Sequence, residues 1–395
     1  MKITGVICEY NPFHNGHKYL LDSLRGRGGE LIMCVMSGSF VQRGESAVAD
    51  KFTRAACAVA AGADIVFELP FPYCMASAEY FAAAGVHILS ELGADTLGFG
   101  SESADEKGLR AAAEVILGER FSDEYRRLCR AGKGSAAAYF EAYENITGER
   151  MACGSNDILA LAYIKEILRR GGAMKTDIIQ RRGAAYGSEN VEQGELPSAT
   201  ALRKNMLLSG IDDLQGYVPE ETVSYIKQAA VNDMSGSHIK NIGRDIITYL
   251  RMSDVKTFEG IADVGDGLAE RICAAASRAT DLDQLLSEAT TANYTDARVR
   301  RGIINMLVGV RREDLRSRPA YVQLLAANER GRKYLAERRR DEDLLRIVTK
   351  PADARTVAGG TRQYELTCRA EALWCMTLPR PLPADTLTKM KPIFI

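Results

Sequence analysis

The sequence predicts an α/β protein with a parallel sheet in its amino-terminal half and a mainly helical carboxyl-terminal half. Two observations carry this prediction. Short apolar runs, typical of strands buried on both faces, alternate with segments of helical period as far as about Leu208. Beyond that residue the alternation stops and helical period dominates. Strands separated by helices at this spacing indicate right-handed crossovers between parallel neighbours. We therefore expect one domain over residues 1–208 and a second over residues 209–395.

The predicted strands are short apolar segments bounded by residues that break regular structure. Pro70 and Pro72 close the third strand, the fourth breaks into a glycine turn, and the fifth ends in two arginines. The predicted strands are residues 3–8, 31–36, 65–69, 96–102 and 177–182.

The predicted helices follow from apolar periodicity and from residues that suit helix starts. Asp50 opens an Ala-rich helix that stops at Gly62, and Ser155-Asn156-Asp157 has the chemistry of a helix N-cap. Residues 108–143 are charged and helical, which favours a covering layer. The other predicted helices are residues 18–24, 77–92, 158–168, 219–230, 237–251, 267–277 and 297–312, and a polar, Pro-rich tail begins at residue 379.

A turn with two histidines follows the first predicted strand. Residues 9–17 read Glu-Tyr-Asn-Pro-Phe-His-Asn-Gly-His, and a helix follows them. A helix start offers free N–H groups and the positive end of its dipole, which suit a phosphate. Gly16 permits close backbone approach, and His14 and His17 can each donate a hydrogen bond to phosphate oxygens. The alternative is that both histidines only cap the helix. No third ligand with zinc-like spacing is nearby, so no metal site is predicted.

A second candidate phosphate site lies at residues 197–203, Pro-Ser-Ala-Thr-Ala-Leu-Arg. Ser198 or Thr200 can cap a new helix, and Arg203 falls near its first turn. A hydroxyl pair with an arginine at a helix start is a second phosphate cradle. Taken alone, simple capping is the other interpretation. The loops at residues 37–44 and 98–102 also follow predicted strands, and ligands of parallel sheets bind at that edge.

Together these stretches resemble the tRNA(Met) cytidine acetate ligase family of bacteria. That family belongs to the nucleotidyltransferase superfamily with the His-x-Gly-His turn and a HUP-type Rossmann fold. The resemblance covers nearly the whole chain. The stretches that carry it are residues 9–17, 40–45, 98–102, 198–203, 294–301 and 328–332.

The resemblance implies an activity, its substrates and a set of site residues. The implied enzyme uses ATP and acetate to form acetyl-adenylate. It then acetylates N4 of the wobble cytidine, position 34 of elongator tRNA(Met), with release of AMP and diphosphate. The residues implied to bind ATP are Ile7, Glu9, Tyr10, Asn11, Pro12, Phe13, His14, Asn15, Gly16, His17, Leu20, Gly100, Asn156, Arg181 and Ser198.

The chain departs from the family pattern at two places. The family has Pro-Asn-Asn where this chain has Ser155-Asn156-Asp157, so either Asn156 or Asp157 is the expected ATP contact. A histidine expected shortly after Tyr186 is replaced by Gly187-Ser188.

The reaction brings an anionic carboxylate against the α-phosphate of a polyanion, so positive donors must offset the rising charge. We expect His14 and His17 to bind the phosphates as catalytic residues, with Arg203 and Ser198 on the leaving group. Mg²⁺ is expected to arrive with ATP, because no dedicated metal cage is visible. A further polar set either serves the acceptor or acetate, or is a solvated loop with a helix cap at Asp50. It consists of Gln42, Arg43, Asp50, Lys51 and Arg54.

Composition limits the other functions. The chain has 395 residues, a net charge of −1 and 46% hydrophobic residues, typical of a globular protein that does not bind nucleic acid by overall charge alone. It has 9 Cys without C-x-x-C pairs and no apolar run that could span a membrane, so we expect free thiols in the cytoplasm.

Basic residues outnumber acidic ones between residues 298 and 350. Their arrangement suits either a tRNA-binding face or helix faces paired with Glu and Asp. The clusters are Arg298-Arg300-Arg301, Arg311-Arg312, Arg330-Arg332-Lys333 and Arg338-Arg339-Arg340. Two other functions stay open: a small-molecule adenylyltransferase, and a non-catalytic RNA-binding protein.

Overall fold

A mostly parallel sheet with helices on both faces forms the centre of the protein. The computed structural model describes residues 1–151, 154–181, 197–338 and 345–395. Within those ranges the strands are β1 (Ile3–Cys8), β2 (Leu31–Ser37), β3 (Phe40–Val41), β4 (Glu45–Ser46), β5 (Ile65–Leu69), β6 (Thr96–Ser101), β7 (Lys175–Gln180), β8 (Tyr321–Ala327), β9 (Arg346–Val348) and β10 (Ile393–Phe394).

The strand order confirms the predicted parallel α/β core. In the described ranges the main sheet has eight strands in the order β10-β8-β5-β2-β1-β6-β7, with β9 also paired to β8. Neighbouring strands in the part β5-β2-β1-β6-β7 of this sheet are parallel. Strands β2 and β6 lie on opposite sides of β1. The chain passes from β1 to β2 first and returns later to β6, so the strand order reverses beside β1. Such a reversal opens a crevice at the carboxyl ends of the strands.

The helices of the amino-terminal half match the predicted ones closely. Asp50 caps its helix as expected, accepting hydrogen bonds from the amides of Phe52 and Thr53. The predicted cap within Ser155-Asn156-Asp157 is wrong, because the helix already begins at Ser155 and its N-cap is Gly154, without a side-chain cap bond. The helices are α1 (Asn15–Gly26), α2 (Lys51–Ala60), α3 (Ala78–Glu91), α4 (Glu106–Leu117), α5 (Glu119–Arg130), α6 (Ser135–Thr147), α7 (Ser155–Arg169) and α8 (Ala199–Ser209).

The carboxyl-terminal half is mainly helical up to residue 316. The predicted helix 297–312 is divided, because Gly309 adopts a left-handed conformation (φ 81°) and ends it. The helices are α9 (Glu220–Val231), α10 (Gly243–Met252), α11 (Leu268–Arg278), α12 (Leu282–Ala289), α13 (Asp296–Val308), α14 (Arg312–Arg316), α15 (Glu329–Arg338) and α16 (Gly360–Met376).

The expectation that strands end near Leu208 is wrong. The apolar segment β8 pairs antiparallel with β5, and β9 and β10 pair with β8. Helix α16 also packs into the amino-terminal half, where the Trp374 indole donates a hydrogen bond to the carbonyl of Ala47 (2.8 Å). The sheet therefore crosses the predicted boundary at residue 208, and the division into two domains stays a prediction.

Candidate active site

A cavity of about 520 Å³ opens at the carboxyl ends of β1, β6 and β7. Its walls come from the histidine turn after β1, the β3–β4 turn, the start of α7 and the start of α8. Four arginines among the described residues line it: Arg43, Arg181, Arg203 and Arg301. A cavity of this size, rich in cationic donors, is suited to a nucleotide with its phosphates.

The histidine turn orients both imidazoles by hydrogen bonds to the backbone. Nδ1 of His14, the N-cap of α1, accepts from the amide of Gly16 (3.0 Å). Nδ1 of His17 accepts from the amide of His14 (3.2 Å), and the two rings stack at 3.7 Å. Since each Nδ1 is an acceptor, each neutral ring carries its proton on Nε2. Both histidines are therefore N–H donors for a ligand, and capping and phosphate binding are compatible.

The surroundings keep both histidines neutral at physiological pH. Burial, together with the positive charges of Arg181 and Arg203, lowers the pKa of His14 to about 3. Burial, His14 and Arg181 lower the pKa of His17 well below its ordinary value. The predicted free amides at the helix start are largely used within the protein, because the amide of Asn15 binds the carbonyl of Tyr217. Imidazole donors rather than free amides thus face the cavity at this turn.

Because the pKa of His14 is low in the folded protein, we predict that the free energy of unfolding decreases as the pH is lowered. The unfolded ring titrates near 6.5, so acid favours the unfolded chain below that pH. We expect His14 to lower the free energy of unfolding by about 1.4 kcal/mol when the pH is reduced from 7.5 to 5.5. Urea unfolding of the wild type and of His14→Gln at both pH values tests this. An equal pH dependence in the two proteins would contradict the assignment.

The absence of a side chain at Gly16 leaves space for the imidazole of His14. A Cβ at this position would lie 2.8 Å from Cε1 of His14 and 3.0 Å from its Nδ1. We expect Gly16→Ala to displace this ring and to weaken ATP-dependent activity by about 10- to 100-fold, since a displacement of about 1 Å has effects of that size. The measurement is the rate of acetate-dependent exchange between ATP and pyrophosphate.

The matched control for that variant is Gly26→Ala, at the other end of α1. A Cβ there meets nothing within 4 Å. We expect the control to keep its exchange rate and to gain up to about 1 kcal/mol in stability. Equal activities of the two variants would show that the space at Gly16 has no role.

The residues of the second predicted phosphate site, Ser198, Thr200 and Arg203, also line the cavity. Ser198 caps α8 by accepting from the amide of Ala201 (3.1 Å). Arg203 donates to Thr200 Oγ1 (3.2 Å), to the carbonyl of Asn11 (2.9 Å) and to Glu45 of the β3–β4 hairpin. Arg203 is thereby held beside the histidine turn. The structure brings the two sequence motifs together.

The ends of β6 and β7 supply a third polar group. Arg181 donates to Oδ1 of Asn156 (3.0 Å), whose amide nitrogen donates to Glu102 (2.5 Å). Asp157 is buried and accepts from the Ser101 hydroxyl and the amide of Glu102 instead. Of the two alternatives, Asn156 lines the cavity and Asp157 does not. Gly100 lines it as well, and a Cβ there would lie 3.0 Å from Cγ of Arg181.

Most residues predicted to bind ATP line the cavity, and three do not. Phe13 is buried and packs against Tyr10 and His17, with ring centroids 4.8 and 5.6 Å away. Asn15 points away and donates to the carbonyl of Gly216 (2.9 Å). Pro12 is also buried outside the lining. The predicted residues that line the cavity are Ile7, Glu9, Tyr10, Asn11, His14, Gly16, His17, Leu20, Gly100, Asn156, Arg181, Ser198 and Arg203.

The polar set between residues 42 and 54 divides into two groups. Gln42 and Arg43 line the cavity, and Arg43 donates to Ser155 across it (3.3 Å). Lys51 is buried away from it, and Arg54 is buried against the carbonyls of Glu9, Ser37, Gly38 and Ala49. The cap at Asp50 is confirmed, but a solvated loop is wrong because Asp50, Lys51 and Arg54 are all buried. These three do not serve a substrate directly.

The carboxyl-terminal half contributes residues that the sequence analysis did not assign to the ATP site. Thr295, Ala297 and Arg301 of the α13 region line the cavity. Gly44, in the β3–β4 turn, lets α13 approach, since a Cβ there would lie 2.6 Å from the amide nitrogen of Arg301. The cluster of arginines at residues 298–301 was a signal, but it gave no indication of a position beside the histidine turn.

The basic clusters are largely paired within the protein. Arg298, Arg300 and Arg301 form ion pairs with Asp266, Asp296 and Asp263, and Lys333 pairs with Glu329. This is the arrangement expected for helix faces balanced by acidic residues. Arg339 and Arg340, and the loop with Tyr186, lie outside the described residues. Among the described residues no group of three or more potential metal ligands occurs, and no helix is long and apolar enough to cross a membrane.

Comparisons with known proteins agree with this geometry. The family model of the HIGH nucleotidyl transferases matches residues 1–387. A tRNA(Met) cytidine acetate ligase of Caldanaerobacter subterraneus subsp. tengcongensis is 32% identical over 377 residues, 92% of each chain. The chain belongs to the tRNA(Met) cytidine acetate ligase family of HIGH nucleotidyltransferases.

Solved structures of this ligase family have the same architecture. The apo form of TmcAL from Thermotoga maritima matches with a TM-score of 0.93 and 28% identity over 100% of both chains. The form of that protein bound to alpha-thio ATP matches with a TM-score of 0.90 and 28% identity, over 100% of this chain and 99% of the other. These matches confirm the resemblance of the sequence to the tRNA(Met) cytidine acetate ligase family.

Proposed function

We propose that the chain is an ATP-dependent tRNA(Met) cytidine acetate ligase. The observation that carries the proposal is the convergence of two neutral histidine donors, Arg181 and Arg203 on one cavity at the carboxyl edge of the sheet. The names of the relatives and the ATP analogue bound to the Thermotoga maritima protein support it. The substrates are ATP, acetate and elongator tRNA(Met).

The first step joins acetate to the α-phosphate of ATP. An acetate oxygen attacks the α-phosphorus, the bond to the bridging oxygen breaks, and diphosphate leaves. His14 and His17 donate through Nε2 to the phosphates as charge accumulates, and the lowered pKa of each ring keeps it neutral as a donor. Arg203 and Ser198 stabilise the departing diphosphate, and Arg181 with Asn156 and Gly100 holds the nucleotide. Mg²⁺ would arrive bound to the ATP phosphates and would offset part of their charge, because the described residues offer no group of three or more potential metal ligands.

The second step transfers the acetyl group to N4 of the wobble cytidine at position 34. The acceptor reaches the cavity past the rim that α13 and the β3–β4 turn form together. Because the described basic clusters are mostly paired, tRNA binding depends on shape and backbone contacts rather than on a strongly positive face. A cytoplasmic location agrees with these substrates and stays a prediction.

The test is incubation of the purified protein with ATP, Mg²⁺, labelled acetate and bulk bacterial tRNA, followed by mass spectrometry of the digested RNA. N4-acetylcytidine that depends on both ATP and acetate is the expected result. AMP and diphosphate without a modified nucleoside would support a small-molecule adenylyltransferase instead. ATP left intact with every acid and tRNA would favour a non-catalytic RNA-binding protein.

A further inference from the structure

Acetyl transfer to an aromatic amine has a requirement that ATP binding does not have. The N4 amino group of cytidine presents only hydrogen-bond donors, and it must lose a proton once it has attacked the acetyl carbon. The acceptor side of the cavity therefore needs an acceptor group that can also take a proton.

The histidines do not meet this requirement. Nδ1 of His14 and Nδ1 of His17 already accept backbone hydrogen bonds, so each ring faces the cavity with a donor. The arginines of the wall are donors only. Among the described residues that line the cavity, Glu9 is the single carboxylic acid.

Glu9 is held at the carboxyl end of β1, one residue beyond the strand. Its Oε1 accepts from the amide of Gln42 (2.9 Å), and its carbonyl accepts from Arg54 (2.7 Å). Its Oε2 accepts no hydrogen bond from the described residues. One carboxylate oxygen is thus anchored by the loop that follows β2, and the other is available to a ligand.

We propose that Glu9 is the catalytic base of the acetyl-transfer step, with Oε2 accepting the N4–H of the target cytidine. This inference rests on the proposed function. The bond from N4 to the acetyl carbon forms, and the bond from that carbon to the phosphate oxygen of AMP breaks. AMP leaves with the electron pair of the broken bond. The N4 proton passes to Oε2 of Glu9 and from there to solvent.

The surroundings of Glu9 make its carboxylate a stronger base than that of an exposed glutamate. Burial raises the pKa of Glu9, and the Gln42 amide, Arg203 and Arg43 oppose that rise without cancelling it. Glu45, in the same hairpin as Arg43, adds to it. The charged and titratable groups that face Glu9 from the neighbouring elements are Arg43, Glu45, Arg54, Cys74, Tyr163 and Arg203.

The experiment compares the two steps in the full-length enzyme. Acetate-dependent ATP–pyrophosphate exchange reports the first step, and single-turnover formation of N4-acetylcytidine from supplied acetyl-adenylate and tRNA(Met) reports the second. Glu9→Gln keeps the acceptor for the Gln42 amide and removes the base. We expect the second step to slow by about 10²- to 10⁴-fold, the usual contribution of general-base catalysis, and at least 10-fold more than the first step.

The pH profile separates a base from a structural residue. We expect the wild-type transfer rate to rise with pH as the carboxylate ionises, and the Glu9→Gln rate to lose that rise. Glu9→Asp, which keeps a carboxylate, should restore a pH-dependent rate even if Glu9→Gln folds poorly. If Glu9→Gln slows both steps equally, or slows the transfer step less than threefold, the role of Glu9 as a base is overturned while the proposed ligase function stands. Wild-type enzyme that exchanges pyrophosphate but acetylates no tRNA would overturn the proposed acceptor and this inference with it.

Discussion

Replacing both His14 and His17 with alanine is expected to reduce acetate-dependent ATP–pyrophosphate exchange by at least about 10³-fold. The loss of a single preorganised donor to a developing negative charge has an effect of about 10²- to 10³-fold. Two donors in one stacked pair act as a unit, so their effects are not additive. The measurement is the exchange rate at saturating ATP, together with the affinity for tRNA.

The matched control is His238→Ala. Nδ1 of His238 accepts from the amide of Lys240 at the start of a 3₁₀ helix, so this variant also removes a histidine cap. His238 does not line the cavity. We expect a stability loss of about 1 kcal/mol in the control without a loss of exchange. A double variant that keeps more than a tenth of the wild-type exchange would contradict the assigned role, whereas lost exchange with retained tRNA binding supports it.

Replacing Lys51 with methionine is expected to lower the free energy of unfolding by about 3–5 kcal/mol. The buried ammonium donates to Glu68 (2.7 Å), Gln323 (2.8 Å) and Glu371 (2.5 Å), and its side chain is 0% exposed. Without it two buried carboxylates face each other with no cation, and removing one partner of a buried ion pair has an effect of this size. Urea unfolding measures it.

The control for Lys51 is Lys18→Met. Lys18 also lies in the first turns of a helix and pairs with Asp22, but the two side chains are 45% and 58% exposed. An exposed pair of this kind contributes about 0–1 kcal/mol. We therefore expect a loss below about 1 kcal/mol in the control. Equal losses in the two variants would show that the buried network across α2, β5, β8 and α16 does not hold the two halves together.

The sequence alone was sufficient for the parallel core and for the local structure of the two motifs predicted to bind phosphate. The mainly apolar segments β1, β2 and β5 are buried along their whole length, and an apolar segment indicates burial directly. The histidine turn and the Ser198 cap are equally local, since each is defined by contacts within three residues. Patterns of this kind are complete in a short stretch of chain.

Only the tertiary structure decided what depends on pairing between distant parts of the chain. Strand β8 lies beside β5, more than 250 residues earlier in the sequence. The apolar pattern of such a segment predicts that it is buried, but it does not predict which strand of the sheet it pairs with. The same holds for Arg301, which reaches the cavity because Gly44 lets α13 approach, and for Lys51, which turns inward to Glu68 and Glu371. Charge in the sequence indicates a polar group, whereas its partner, and therefore its role, is set by long-range packing.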